Sequence, residues 1–451
     1  MRSRLNSPNS SPQRQSVWFL ARFARNRRGN VAIISAIILP VVLGTFGLGT
    51  EAVSWYEGQR AEQSAADSAA VAAASNAAAD FAVEAKAVAA LYGYTDGQGG
   101  VTITALNGQA CPTGGNSCYK VTVSKIQPLL LAQMAGYAGD AVQGGAAAKK
   151  IAATAVAIQG TSPRPYCILA LASSGATPAL RTNGAPKADL SGCNVMSNTA
   201  ATCNGSNLNA DIGDAHGANS NCGNAAHSNI PVAPDPYVAL ASILPANACG
   251  SYPQIPAKKG PPLPPSNRLA GLQSWSGNIQ KCGDVQLTGP VTIDTDSNGA
   301  VLVIENGQLD TNGYPIQTSN GSALTIIFSG TAGLYTHAPT GGGILDIAAP
   351  KTGSWSGVAV YQDPGLSQGV DVSAAGNSPT WDITGLVYLP HASVTFSGAV
   401  NKASNGLSCF VLVVDNLLVN GTANILPKGQ CAQAGLNMPT NPVPSRGKLL
   451  S

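Results

Sequence analysis

Residues 29–50 contain no charged side chain; their sequence is GNVAIISAIILPVVLGTFGLGT. The apolar part, residues 31–48, is long enough to cross a hydrocarbon core of about 30 Å as a helix, at about 1.5 Å per residue. This stretch divides the chain into a short N-terminal tail and a long C-terminal region. We therefore expect a transmembrane helix at residues 29–50.

All the charged residues before Glu51 are arginines, and four of them lie close to the apolar run: Arg22, Arg25, Arg27 and Arg28. The positive-inside rule places such a tail in the cytoplasm and the rest of the chain on the other side of the membrane. A cleaved signal peptide and a buried core helix are the alternatives. The length of the apolar run and the arginine cluster favour an uncleaved anchor.

Small residues recur every fourth position along the predicted membrane helix, at Ala32, Ala36, Pro40 and Gly44. Such a row lets a second helix approach closely. We expect it to be a helix-packing face, the alternative being ordinary use of small residues in a membrane helix. Pro40 lacks an N–H donor and should kink the helix.

The composition excludes several classes of protein. Only 10% of the 451 residues are charged, the net charge is +3, and the chain holds 51 glycines and 30 prolines. So few charges disfavour a mainly helical cytosolic enzyme, and the small net charge excludes a strongly basic nucleic-acid binder. A strand-and-turn protein with a surface of Asn, Thr, Ser and Gly fits better.

An alanine-rich segment, residues 51–92, follows the apolar run and predicts a helical stalk that packs closely against a neighbour. Residues 101–104 and 119–123 predict a β-hairpin, and residues 149–158 a third strand. Cys111 and Cys118 lie between the hairpin strands and are expected to form a disulfide. All ten cysteines follow the apolar run, and we expect most of them to be paired.

These features resemble a known family. The residues that carry the resemblance are Arg27-Arg28-Gly29-Asn30-Val31-Ala32-Ile33-Ile34, the run around Pro40, Glu51, Tyr56, Gln59, Gln63, Ala66-Asp67-Ser68-Ala69-Ala70 and the alanine tract. Together they are similar to the N-terminal module of TadG-like proteins of the tight-adherence (Tad/Flp) pilus-assembly system. Further motifs, including Pro234-Asp-Pro-Tyr237 and Gly385-Leu-Val-Tyr-Leu-Pro390, resemble the exported part of some TadG-like proteins. The resemblance implies an inner-membrane protein with an exported β-rich region, associated with pilus biogenesis or the cell surface.

Beyond residue 270, short apolar runs alternate with Gly, Asn and Ser turns. The runs begin at Val285, Val301, Leu324, Ile344, Val358, Leu386 and Phe410. Short strands with Asn-Gly corners predict a parallel β-helix or a related solenoid, with an antiparallel β-sandwich as the alternative.

The predicted fold is thus a membrane-anchored α+β protein with a transmembrane helix, an Ala-rich helical stalk and a mainly β exported region. The predicted segments are 1–28 (basic cytoplasmic tail), 29–50 (transmembrane helix), 51–160 (TadG-like stalk and hairpin), 161–229 (Cys/Asn/Gly-rich β region), 230–270 (Pro-rich linker or strap), 271–432 (β-solenoid-like domain) and 433–451 (disordered tail).

Three motifs suggest chemistry, and each also has a plainer interpretation. Residues 294–305 satisfy the calcium-loop pattern, but strands rather than helices flank it. Gly365-Leu-Ser367-Gln-Gly369, with Asp382 and His391 after it, matches a hydrolase motif without its strand–turn–helix context. His216 and His227 lie near Cys193, Cys203 and Cys222, but no C-x-x-C pair accompanies them. We expect no catalytic, cofactor or metal site.

The sequence therefore favours a structural component of Tad/Flp-type pilus assembly that is not an enzyme. The expected location is the bacterial inner membrane, with one span, a cytoplasmic N-terminus and a periplasmic or surface-exposed C-terminal region. The expected partners are the lipid bilayer and other membrane components of the pilus-assembly machine, not nucleic acid. The alternatives are an envelope or surface adhesin without a pilus role and a carbohydrate-active β-helix enzyme. The scarcity of Lys and Arg in residues 271–426 disfavours the enzyme.

Overall fold

The computed structural model describes residues 28–77, 79–175, 177–184, 186, 188–256, 261–331, 333, 335–366, 370–374, 381–397, 399–400, 409–420, 424–425 and 430–450. The chain divides into two compact units. Unit 1 comprises the described residues up to Thr161 together with those from Pro444 onward, and unit 2 comprises the described residues of Ser162–Val443.

The α-helices are α1 (Arg28–Asn76) and α2 (Phe81–Leu91). The strands in chain order are β1 (Val101–Gln109), β2 (Cys118–Pro128), β3 (Ala141–Gln143), β4 (Ala146–Pro165), β5 (Ile168–Ala170), β6 (Leu180–Asn183), β7 (Asn194–Ser197), β8 (Ala201–Cys203), β9 (Ile212–Ala215), β10 (Asn219–Ser220), β11 (Ala225–His227), β12 (Arg268–Cys282), β13 (Val285–Glu305), β14 (Leu309–Asp310), β15 (Ile316–Thr318), β16 (Leu324–Ser329), β17 (Pro339–Thr340), β18 (Leu345–Ala348), β19 (Val358–Gln362), β20 (Val370–Ala374), β21 (Trp381–Phe396), β22 (Ala399–Val400), β23 (Phe410–Asn420), β24 (Asn424–Ile425) and β25 (Thr440–Leu449). Short 3-10 helices lie at Ala132–Ala135, Val238–Ile243 and Pro265–Asn267.

The predicted apolar helix and alanine-rich stalk share one helix as far as Asn76. α1 continues through Pro40, and the many alanines after Glu51 favour its extension because alanine has the highest helix propensity. The helix does not run unbroken to residue 92: Ala77 adopts a left-handed conformation with φ of 46°, and α2 begins at Phe81. The stalk is therefore two helices rather than one rod.

The sheet of unit 1 contains the predicted hairpin and third strand. β1 pairs antiparallel with β2, which pairs antiparallel with β4. The strand order is β1-β2-β4-β25, and β3 pairs with β4. The prediction of a disordered tail at residues 433–451 is wrong for β25. Pro442 and Pro444 are tolerated in β25 because it is the edge strand of the sheet, where a backbone N–H donor can be absent.

The core of unit 1 is built mostly from alanine. Along α1 the fully buried alanines fall at helical spacing: Ala65, Ala66, Ala69, Ala70, Ala73 and Ala74. They pack in one cluster with α2 and with strand residues such as Val121, Val123 and Ala155. Side chains this small bring the helix backbone close to the sheet, as the stalk composition predicts.

Unit 2 is a mainly β region, and every described strand pair within it is parallel. Residues at matching positions on neighbouring strands pair in succession across the sheet. One such row is Leu302, Ile326, Val360, Val387, Leu412, Ile168, Val195 and Gly213. The predicted apolar runs lie in these strands. The antiparallel sandwich alternative does not predict such pairing.

The order of strands in unit 2 departs from the order of the chain. β23, the long C-terminal strand, pairs with β5 and β6, so residues 161–229 extend the same sheet that residues 271–432 begin. The predicted boundary between these two segments is therefore not a boundary between compact units. The chain must return from β11 to β12, and the Pro-rich segment makes that return.

Candidate functional site

The apolar end of α1 carries a long run of exposed hydrophobic side chains. Its side chains from Val31 to Phe46 are largely exposed, and the helix is apolar and long enough to cross a membrane, judged by length and composition. An apolar surface of this kind is unfavourable in water for a soluble domain. α1 is therefore a candidate membrane anchor.

The residues predicted to set topology and helix packing lie at this end. Arg22, Arg25 and Arg27 fall outside the described residues, and α1 begins at Arg28. Ala32, Ala36 and Pro40 face outward, and nothing described lies within 4 Å of a Cβ placed on Gly44. The small-residue row is thus uncovered within the chain, and its packing role stays a prediction.

Just after the apolar run, the carboxylate of Glu51 binds three consecutive backbone amides. Oε1 accepts the N–H groups of Leu130 at 2.5 Å and Leu131 at 2.9 Å, and Oε2 accepts that of Ala132 at 2.6 Å. These amides open the 3-10 turn Ala132–Ala135. Burial disfavours the charged carboxylate, but the three donors outweigh it and hold the pKa of Glu51 below its usual range.

Two further contacts attach the same loop to α1. A Cβ built on Gly47 would lie 2.7 Å from Cβ of Leu131, so glycine permits a close approach there. Further along the helix, the rings of Trp55 and Tyr137 have centroids 5.6 Å apart. Lys149 lies over the Tyr137 ring, with Nζ 5.9 Å from its centroid.

A buried carboxyl interrupts the alanine face of α1. Glu62 is fully buried, and neither of its oxygens has a hydrogen-bond partner among the described residues. Burial raises the pKa of Glu62 to about 7, partly offset by the charge of Lys125. Burial, together with the charge of Glu62, raises the pKa of Tyr94.

The disulfide prediction is confirmed. Cys111 and Cys118 are bonded across the end of the hairpin, with Cα atoms 5.4 Å apart. The other eight cysteines also pair, as Cys167–Cys193, Cys203–Cys222, Cys249–Cys282 and Cys409–Cys431. Since a zinc site needs free thiolates, the hypothesis that involved Cys193, Cys203 and Cys222 loses its ligands.

The Pro-rich segment of unit 2 is held by aromatic residues from the strands. The hydroxyl of Tyr388 donates to Oδ2 of Asp235 at 2.6 Å, and that of Tyr361 donates to the carbonyl of Tyr237 at 3.2 Å. The rings of Tyr361 and Tyr388 are stacked, with centroids 4.8 Å apart. The motifs that carry the resemblance in the exported region therefore meet here.

On its way back to β12 the same segment also contacts residues in the connections between strands. At one end of the segment, the side chain of Asn198 donates a hydrogen bond to the carbonyl of Ala233 and accepts one from its N–H group. At the other end, the carboxylate of Asp284 accepts the N–H group of Ile255 at 2.7 Å. Between them, the Tyr252 ring packs on Tyr335 at 5.8 Å. The segment is a strap fixed at both ends.

The sequence did not predict a buried ionic cluster at Asp214 of β9, although its member His227 belongs to one of the three motifs. Asp214 is fully buried and accepts from Arg164 Nη1 and the Tyr166 hydroxyl, both at 2.5 Å. Its other oxygen lies 3.0 Å from Nδ1 of His227. Burial and the bond to Asp214 raise the pKa of the Tyr166 hydroxyl. Arg164, Tyr166 and His227 each contact the carboxylate of Asp214, and this arrangement favours a structural role for the cluster.

The calcium-loop motif is used for internal hydrogen bonds. Asp294 accepts from Ser319 at 2.8 Å, Asp296 accepts from the amide of Asn298 at 2.8 Å, and Glu305 is buried beside Gln280. Among the described residues, no three His, Cys, Asp or Glu side chains are grouped to hold a metal ion.

The hydrolase motif falls partly outside the described residues, which exclude Ser367 through Gly369. Of its predicted partners, His391 places Nε2 2.8 Å from the carbonyl of Pro364, and Asp382 is buried in β21. His216 bonds the carbonyl of Ile230 through Nδ1 at 3.0 Å. Each of these two histidines therefore contacts a backbone carbonyl.

Residues 29–78 match the family model described as putative Flp pilus-assembly TadE/G-like. The match covers the apolar helix and most of the alanine face, the same residues that carry the N-terminal resemblance, which is confirmed there. No curated protein and no solved structure gives a significant match to the chain. The chain thus carries a TadE/G-like segment, which links it to Flp/Tad pilus assembly.

Proposed function

We propose that this protein is a membrane-anchored structural component of Tad/Flp-type pilus assembly, exposing a β-rich domain to the periplasm. The TadE/G-like match at residues 29–78 carries the proposal, because it coincides with the helix that has an exposed apolar half and a buried alanine half. One segment thus serves as both anchor and attachment for the exported part.

The proposed topology is a single span in the bacterial inner membrane with a cytoplasmic N-terminus. The arginine-rich tail before residue 29 supports this orientation. The five disulfides also support it, because they all follow the helix and such bonds persist in an oxidising compartment such as the periplasm.

For unit 2 we propose a parallel β-solenoid whose coils stack in the order β12 to β24 and then β5 to β11. The supporting observations are the continuous parallel register and the strap that returns along the strands. In such a fold each coil buries its apolar side chains on the next. Its role here would be to present an extended surface, without catalysis.

The partner of the membrane helix is proposed to bind the row Ala32, Ala36, Pro40 and Gly44. The exposure of this row in the isolated chain supports the idea. Replacing Ala36 and Gly44 by Leu should abolish crosslinks to the partner. The matched control is Ile37→Leu, which changes an exposed apolar residue without filling the row. Unchanged crosslinking in the double variant contradicts this role.

The function is tested by deleting the gene in its host and counting Flp pili by electron microscopy. We expect pili to be lost and to return with the wild-type chain but not with a chain lacking residues 162–443. If pili are normal and only surface attachment falls, the adhesin alternative replaces the proposal.

A further inference from the structure

The loop of residues 129–139, LLLAQMAGYAG, is uncharged and unusually exposed. Leu130 is 75% exposed, Leu131 is 41% and Met134 is 81%. Three large apolar side chains on one short loop form a patch that water solvates poorly, and such patches mark interaction sites.

The contacts of this loop fix its depth relative to the membrane helix. Leu131 packs on Gly47, which lies inside the apolar run that ends at Leu48. Glu51, which binds the loop amides, is about 6 Å further along the helix axis, at about 1.5 Å per residue. A helix that spans the bilayer up to residue 48 therefore carries the loop at the boundary of the hydrocarbon core.

Most backbone N–H groups at the centre of the loop have hydrogen-bond acceptors, as a position near hydrocarbon requires. Unpaired N–H groups are costly near hydrocarbon. Here the carboxylate of Glu51 accepts the amides of residues 130–132, and the amides of Met134, Gly136 and Tyr137 donate within the loop itself.

The surroundings of the loop are those of a membrane interface. Trp55 of α1 packs on Tyr137 of the loop, and aromatic rings with polar edges concentrate at the headgroup level of a bilayer. Charged groups lie next to the loop at the Glu51 carboxylate, which the loop amides bind, and at Lys149, which pairs with Asp140 at 2.5 Å.

We propose that residues 129–139 insert into the interfacial layer of the bilayer, on the side where the β-rich units lie, as a second membrane contact beside α1. The occupant of the patch is lipid, because the patch is continuous with the apolar surface of the helix through Leu131 and Gly47. This second contact would hold unit 1 against the membrane surface instead of letting it swing about the helix end. The inference rests on the proposed membrane anchoring.

The test is photocrosslinking of the full-length chain in vesicles of phosphatidylethanolamine and phosphatidylglycerol. A diazirine amino acid replaces Met134, Leu130, Ile37 or Leu106, one position per variant. Ile37 in the helix is the positive control. Leu106 is the matched negative control, 46% exposed in β1 at the end of the hairpin remote from the loop. Phospholipid adducts are quantified by mass spectrometry.

We expect lipid adducts at Met134 and Leu130 within about threefold of those at Ile37 and about tenfold above those at Leu106. Adducts at Ile37 without adducts at Met134 and Leu130 overturn the loop proposal and leave the anchor intact. Equal adduct yields at Met134 and Leu106 also overturn the loop proposal. The same holds if Met134 crosslinks only to a second copy of the chain and not to lipid. Absence of adducts at Ile37 as well overturns the anchor and this inference together.

Discussion

The two units of this protein differ in the size of the side chains that form their cores. In unit 1, alanines on α1 face a sheet that also presents alanine, at Ala153, Ala155 and Ala157. In unit 2, the core is Leu, Ile, Val and Phe aligned along parallel strands, as at Leu302, Ile326 and Leu412. Unit 1 thus depends on the close approach of backbones, whereas unit 2 depends on the volume of its side chains.

The units also differ in how far along the chain their contacts reach. In unit 1, β1 to β4 follow one another along the chain, as in the hairpin of β1 and β2, and β25 joins them from the C-terminal end. In unit 2, Leu412 pairs with Ile168, and the strap must then carry the chain back along the sheet. One chain thus combines a unit with mostly local contacts and a unit with long-range contacts, which four disulfides and the strap also connect.

The largest expected effect is a cavity in unit 2. Leu412→Ala should lower the free energy of unfolding by about 3–4 kcal/mol, because Leu412 is fully buried between Val387 and Ile168. Leu418→Ala, in the same strand but half-buried, should cost less than half as much. Hydrogen exchange with mass spectrometry should show the loss in unit 2 peptides. Equal losses for the two variants would contradict the volume-filled core.

The buried carboxyl of unit 1 should make its stability depend on pH. The pKa of Glu62 is raised in the folded state to about 7, so stability is complete below the unfolded pKa of 4.5 and falls as pH rises towards 7. Glu62→Gln should remove this loss, on the order of 2–3 kcal/mol between pH 4.5 and 8. Thermal unfolding across this range measures it, with exposed Glu57→Gln as the control. An unchanged pH slope would show that Glu62 is ionised when folded.

A larger side chain in the core should destabilise unit 1, whereas a smaller one in the core destabilises unit 2. Ala69→Leu should destabilise unit 1 by about 2 kcal/mol, because Ala69 is fully buried between α1 and its neighbours. Ala61→Leu, on the exposed side of the same helix, should change stability by less than about 0.5 kcal/mol. Exchange of the β2 and β4 amides reports the effect. If the Ala69→Leu variant is as stable as the wild-type chain, the helix does not approach the sheet closely.

The smallest expected effect concerns the strap. Tyr388→Phe removes the hydroxyl that donates to Asp235, which should cost about 1 kcal/mol and speed amide exchange in residues 230–256. Tyr314→Phe, at a more exposed tyrosine, is the control and should change neither quantity. If strap exchange is the same in both variants, the hydrogen bond does not hold the strap.

Local patterns predicted much of both units. The uncharged run specified α1, the period-2 segments specified β1, β2 and β4, and the position of Cys111 and Cys118 beside the hairpin specified their bond. Each of these features depends on neighbours close in sequence, so composition and periodicity are sufficient.

Features that join distant residues could not be predicted this way. The pairing of β23 with β5, the contact of Glu51 with the 129–139 loop and the Asp214 cluster each depend on the tertiary path of the chain. β25 was missed because it pairs with β4, a strand far away in the sequence. The break after Asn76 was missed because alanine at Ala77 favours helix.

We propose above that the chain is anchored in the inner membrane with its β-rich region in the periplasm. The direct test is fractionation of the native host with protease accessibility and non-reducing gels, using an antibody to residues 271–430. We expect a full-length inner-membrane protein that is protected from protease until the outer membrane is opened and that shifts in mobility on reduction. A shortened, released or surface-exposed form would contradict it.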